Sequence, residues 1–277
     1  RYRPTLTMVY LPHLDYNLQR LGPRHPKIQE DLRAIDTICA ELINHCRHEG
    51  SRIIVLSEYG ITEVSEAVSI NRALRRAGLI QVRSELGREL LDAGASEAFA
   101  VADHQIAHVY VRRTEQIARV KSLLEDLPGV ETVLGEEGKR AHALDHPRSG
   151  ELVAIAKPGR WFSYYYWLED RLAPDFARTV DIHRKPGYDP VELFLDPKIT
   201  APGLKVAWKL LRKNLGFRTL MDVISLDASL VKGSHGRITD NPKQGPLFMS
   251  DTPSLLTQKD VRATEVKDLI LKHIFED

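Results

Sequence analysis

Ile53-Ile54-Val55-Leu56-Ser57-Glu58-Tyr59-Gly60 is an unbroken apolar run that empties into a polar turn closed by glycine. A run that is apolar at every position, rather than at alternate ones, suits a central strand covered on both faces, as in a parallel sheet. Immediately before it, Ile28 to His48 carries Leu32, Ile35, Ile38, Cys39, Leu42, Ile43 and Cys46 at helical spacing and stops near Gly50. Helix, buried strand and polar loop make an α/β unit, and ligands gather at the carboxyl ends of strands in such sheets. Further out, the mostly apolar Leu6 to Leu11 reads as the end of another buried strand. It opens into a loop, Pro12-His13-Leu14-Asp15-Tyr16-Asn17-Leu18-Gln19-Arg20-Leu21-Gly22-Pro23. Asp15 and Glu58 therefore both fall where a strand gives way to a loop.

Toward the carboxyl end the alternation continues. Ile70 to Ala77 is a short helix stopped by Gly78, Ile106 to Val111 a strand, and Thr114 to Leu127 a helix. Val130 to Leu134 is a strand, Glu136 to Asp145 a helix, and Leu152 to Ala156 a strand. This pattern predicts one layered α/β domain over residues 1–277 with a mostly parallel central sheet. The pattern breaks over residues 161–213, which carry an aromatic cluster and five prolines, among them Pro174, Pro186 and Pro202. Such a stretch predicts a cap or surface excursion. Val266 to Phe275 is a short amphipathic helix expected to pack on the body.

Composition narrows the function. Thirty-nine Lys and Arg face 38 Asp and Glu, so no dense basic face exists for a nucleic-acid polymer. No apolar run approaches the roughly 18 residues of a membrane span, and no membrane partner is expected. Cys39 and Cys46 lie two helical turns apart, about 10 Å, too far for a disulfide. They read as core thiols of a reducing compartment, which points to the cytoplasm. The chain opens on Arg1-Tyr2-Arg3-Pro4, already inside a strand pattern, and is expected to be part of a longer protein.

The Asp15 segment, with its spacing to Gly22-Pro23, resembles a metal-binding segment of the type I phosphodiesterase/nucleotide pyrophosphatase branch of the alkaline phosphatase superfamily. There an Asp is followed four residues later by a zinc-binding His; here Asp15 is followed by Gln19. Ser57-Glu58-Tyr59-Gly60 resembles the family's Ser-Asp-His-Gly loop, with Glu58 and Tyr59 at the two ligand places. Gly233-Ser234-His235-Gly236, ahead of Pro246-Leu247-Phe248-Met249, is similar to the family's late His-Gly turn. Ser149-Gly150-Glu151-Leu152-Val153 is similar to a strand entry of the family.

The resemblance implies an alkaline phosphatase-like layered sandwich lacking its N-terminal strands and its Thr or Ser nucleophile. It implies a metal-dependent hydrolase of phosphodiesters or nucleotide pyrophosphates, acting on a phosphate-containing small molecule as part of the longer protein. Asp15, Gln19, Glu58, Tyr59 and His235 would be the metal set. Because two expected histidines are replaced, an oxygen-rich site for Mg²⁺ or Mn²⁺ competes with one for Zn²⁺. The contrasting function is a non-catalytic member that binds a ligand or partner, and a third is phosphonate or sulfate-ester cleavage. The exposed edge of a shortened sheet is expected to be covered by a second copy or by the missing segment.

Two more clusters bear on the site. In Asp181-Ile182-His183-Arg184-Lys185-Pro186-Gly187-Tyr188-Asp189-Pro190, His183, Arg184 and Lys185 are candidate substrate contacts. Arg184 and Lys185 would meet an anionic substrate, and His183 could also serve as a substitute metal ligand; the competing reading is a charged cap loop pinned by its prolines. His104 and His108 have the spacing of a helical ligand pair, but a strand at Ile106 to Val111 separates their roles. The aromatics from Trp161 to Trp167 read as packing.

Overall fold

The computed structural model describes residues 4–239, 241–256 and 258–276. Two units are distinguished, one formed by residues 1–62 with 238–277, the other by Glu63–Arg237.

The first unit begins with helix α1 (His13–Leu21), in the segment whose sequence suggested a loop. Leu14, Leu18 and Leu21 recur at helical spacing, and the chain leaves the helix at Gly22, which takes a φ of 83° and donates to the Leu18 carbonyl at 3.0 Å. The expected strand before it does not form: Leu6, Met8, Val9 and Tyr10 are exposed. An extended run becomes a strand only beside a ladder partner, and it has none among the described residues. Helix α2 (Ile28–His48) follows with the bounds its periodicity predicts. Asn17 Nδ2 donates to Asp31 Oδ2 at 2.8 Å and ties α1 to α2. Next comes β1 (Ile54–Ser57).

The second unit opens with β2 (Thr62–Val68) and α3 (Ile70–Arg76). A hairpin of β3 (Gln81–Glu85) and β4 (Arg88–Asp92) precedes a second hairpin of β5 (Ala98–Asp103) and β6 (Ile106–Val111). Then follow α4 (Ile117–Glu125), β7 (Val130–Leu134), α5 (Glu136–Ala141), β8 (Leu152–Ala156) and β9 (Gly159–Phe162). The main sheet runs β5-β6-β8-β7, and each of its pairings is antiparallel. Among the described ladders only β2 and β9 pair in parallel.

The mostly parallel sheet expected from the α/β alternation is therefore not what these residues build. Parallel neighbours need crossovers of a dozen residues or more, whereas His104-Gln105 and Leu86-Gly87 each turn the chain within two. His104, Leu86 and Gly87 take φ of 57°, 50° and 72°, the backbone that tight hairpins demand.

Burial explains the packing. Ala98, Ala100 and Ala102 face inward alternately on β5, while β8 is buried at all five positions. Ile70 and Leu74 of α3 and Val120 and Leu124 of α4 join the same core. Trp161, Phe162, Tyr164, Tyr165, Tyr166 and Trp167 are all buried, with Tyr165 stacked on Trp167 at 4.5 Å between ring centres. Helix α6 (Pro202–Asn214) and the short β10 (Gly233–Ser234), which lies beside β2, complete the second unit.

The chain then returns to the first unit. Strand β11 (Leu247–Ser250) pairs antiparallel with β1, from Ile54 opposite Ser250 to Ser57 opposite Leu247. Helix α7 (Val266–Phe275) is tied in by a 2.6 Å contact between His273 Nε2 and Ser250 Oγ.

Candidate functional site

In the first unit, Asp15 and Gln19 stand four apart on α1 and so share a helical face. Gln19 is buried, and its Oε1 accepts no hydrogen bond from the described residues. The Tyr59 phenol donates to Asp15 Oδ1 at 3.3 Å. Burial, together with the Asp15 carboxylate, pushes the Tyr59 pKa far above the ordinary tyrosine value. Tyr59 is thus a neutral phenol that donates to Asp15. Glu58 is exposed. The loop can end only in glycine: a Cβ on Gly60 would lie 2.0 Å from the Gln244 carbonyl oxygen.

These donors do not fit a zinc pair. Asp15, Gln19 and Glu58 offer oxygen, and no three His, Cys, Asp or Glu side chains gather to hold an ion among the described residues. An oxygen set with an unsatisfied buried amide oxygen suits a hard dication such as Mg²⁺ or Mn²⁺.

In the second unit, His235 follows β10 and packs against the tip of the β5–β6 hairpin. Its ring centre lies 3.9 Å from that of His104, and its carbonyl accepts from the Gln105 N–H at 2.8 Å. His104 also stacks on Tyr188 at 4.8 Å, and its Nδ1 sits 3.3 Å from Ser234 Oγ. Burial foremost, then the neighbouring His235, lowers the His104 pKa to about 3, so its ring is neutral at physiological pH.

The sequence separates His104 from His108 correctly, since Nδ1 of His108 is 3.3 Å from the Gly150 N–H, its donor. It misses the partnership of His104 with His235. The available signal was the polar pair His104-Gln105 between two apolar runs, which marks a hairpin tip.

The 181–190 cluster divides. His183 and Arg184 are exposed, and the Arg184 guanidinium lies 4.7 Å from the Phe176 ring centre. Lys185 is wholly buried, with Nζ 2.9 Å from Asp189 Oδ2 and 2.6 Å from Glu192 Oε1. The anions it meets are the protein's own, so the substrate contact suggested for Lys185 is replaced by a structural ion cluster. Gly187 allows the loop to press on β5, where a Cβ would come 2.0 Å from the Ala102 oxygen.

Several solved structures are similar to this chain. Murine ectonucleotide pyrophosphatase/phosphodiesterase 5, an inactive form in complex with AMP, is 18% identical over 53% of this chain and 36% of its own, with a TM-score of 0.39. Phosphonoacetate hydrolase from Sinorhizobium meliloti 1021, in complex with phosphonoacetate, is 19% identical over 54% of this chain and 36% of its own, at a TM-score of 0.39. The human ectonucleotide pyrophosphatase/phosphodiesterase 5 is 14% identical over 85% of this chain and 44% of its own, at 0.45. The chain thus spans less than half the length of each of these three proteins. No curated protein matches it. Residues 1–189 match the family described as type I phosphodiesterase / nucleotide pyrophosphatase. The stretch includes Asp15, Gln19, Glu58 and Tyr59, and the chain belongs to that family, within the alkaline phosphatase superfamily.

Proposed function

We propose that the protein to which this chain belongs hydrolyses phosphodiesters or nucleotide pyrophosphates with the help of a divalent cation. The observation that carries this reading is the family match over residues 1–189. Asp15, Gln19 and Glu58 of the first unit would contribute donors to the ion, and their oxygen atoms favour Mn²⁺ or Mg²⁺ over Zn²⁺. Such an ion supplies positive charge against the phosphoryl oxygens. Within this chain, Tyr59 orients the Asp15 carboxylate by its hydrogen bond, and the β5–β6 tip orients His235 through ring contact and its carbonyl. The exposed His183 and Arg184, the latter 3.5 Å from Asp175, would meet an anionic substrate.

The test is turnover of bis-p-nitrophenyl phosphate by the full parent protein with Mn²⁺, Mg²⁺ or Zn²⁺ added in turn. Hydrolysis with Mn²⁺ or Mg²⁺, weakened at least about tenfold by Asp15→Asn, is expected. Absence of turnover with all three ions, while AMP still binds, would replace the hydrolase by a non-catalytic binding protein.

A further inference from the structure

Helix α6 leaves an apolar stripe in solvent. Leu204, Trp208, Leu211 and Leu215 follow one another four, three and four residues apart, so their side chains line one side of the helix. They are 73%, 58%, 49% and 65% exposed, and Phe217 just beyond is 58% exposed. The helix is already docked by other residues. Val206 packs in the cluster that includes Trp161, Val191 and Val223. Lys205 donates to the Asp222 carbonyl at 2.6 Å, and Lys209 donates to that of Leu220 at 2.8 Å. The stripe is therefore a second face, not a loosely seated core contact.

Its own segment of sequence carries one sign of charge. From Lys198 to Met221 the chain has Lys198, Lys205, Lys209, Arg212, Lys213 and Arg218, and no acidic residue. Lys205 and Lys209 pair with Asp222, and the exposed Arg218 lies 3.9 Å from Asp175, whereas Arg212 and Lys213 are exposed. The Arg212 guanidinium lies 5.7 Å from the Phe217 ring centre, so charge and apolar stripe meet in one patch.

A leucine and tryptophan stripe beside exposed arginines is the pattern of a helix that lies in the headgroup region of an anionic bilayer. Two copies meeting through this patch would bring like charges together, which disfavours a homodimer. We infer that α6 and the turn at residues 215–218 seat this chain on an anionic lipid surface. The four stripe residues enter the acyl boundary, and Arg212 and Arg218 reach the headgroups. No helix among the described residues is long and apolar enough to cross a membrane, so this is contact with the surface only.

Trp208 offers a direct readout, because Trp161 and Trp167 are buried and only Trp208 faces solvent. The full parent protein is mixed with phosphatidylcholine vesicles containing roughly 30 mol% phosphatidylserine, and with pure phosphatidylcholine vesicles. The expected result is a blue shift of tryptophan emission and co-flotation with the anionic vesicles alone, weakened about tenfold at about 0.5 M salt. Leu211→Gln with Leu215→Gln keeps the reporter and is expected to weaken partitioning at least about tenfold. A second variant, Arg212→Glu with Arg218→Glu, reverses two exposed charges and is expected to do the same. The inference is overturned if anionic vesicles produce no shift, or if both variants partition as the parent does. It is equally overturned if light scattering shows a dimer without vesicles that the leucine variant dissolves, for then a second copy covers the stripe.

Discussion

The Tyr59 phenol donates a hydrogen bond to Asp15 Oδ1 at 3.3 Å, across 44 residues of chain. Both residues stand where the family resemblance places metal ligands, yet one is a neutral donor to the other. In the proposed cation site, side-chain identity at these two positions would govern which cation the first unit prefers.

Restoring nitrogen donors is expected to shift that preference. In Gln19→His with Tyr59→His, zinc affinity measured by isothermal titration is expected to rise at least about tenfold, because imidazole suits Zn²⁺ better than an amide oxygen or a neutral phenol. An unchanged zinc affinity would remove both positions from the ligand set.

Lys185 is the only cation holding Asp189 and Glu192 in this buried cluster among the described residues. Lys185→Met leaves two buried carboxylates and is expected to cost about 3–5 kcal/mol in urea unfolding. The loss is expected to depend on pH. Burial, the largest influence, raises the Asp189 pKa above its ordinary 3.8, and Lys185 opposes that rise. A carboxyl whose folded pKa is raised contributes stability below its unfolded pKa and loses it as pH climbs through the folded value. Without Lys185 the rise is larger, so the variant's deficit is expected to be smaller near pH 5 than near pH 7.5. A deficit independent of pH would show that Asp189 does not take up the proton.

His104 supports His235 by ring contact. His104→Ala is expected to lower stability by about 2 kcal/mol and to change the His235 imidazole resonances in ¹H–¹⁵N spectra. His104→Phe keeps an aromatic platform and is expected to recover most of the stability. If Ala and Phe behaved alike, the packing account would be wrong.

Gly60→Ala puts a methyl group 2.0 Å from the Gln244 oxygen, and the backbone must move to accept it. A loss of at least about 2 kcal/mol is expected, with faster hydrogen exchange over the Glu58–Tyr59 loop. Wild-type stability in this variant would mean that the loop and the Gln244 main chain do not meet.

Periodicity alone located α2, β6, β7, β8 and α7 at the bounds the structure shows. Each is a run whose apolar spacing matches a single secondary structure. It failed at His13–Leu21, where flanking Pro12 and Gly22-Pro23 looked like loop punctuation but bracket a helix. At residues 6–11, β propensity was present and a pairing strand was not. The family's motifs were legible in type and order, the Asp15 segment before the Glu58 loop before the His235 turn, because motif spacing survives in sequence.

By itself the sequence determined the family and the positions of the most periodic elements, since these depend on local spacing and side-chain chemistry. Tertiary structure decided strand direction, the Tyr59–Asp15 bond, the His104–His235 contact and the burial of Lys185. Each of these brings together groups distant along the chain or sets a residue's environment by what folds over it. Neither the period of a segment nor the identity of one residue encodes that.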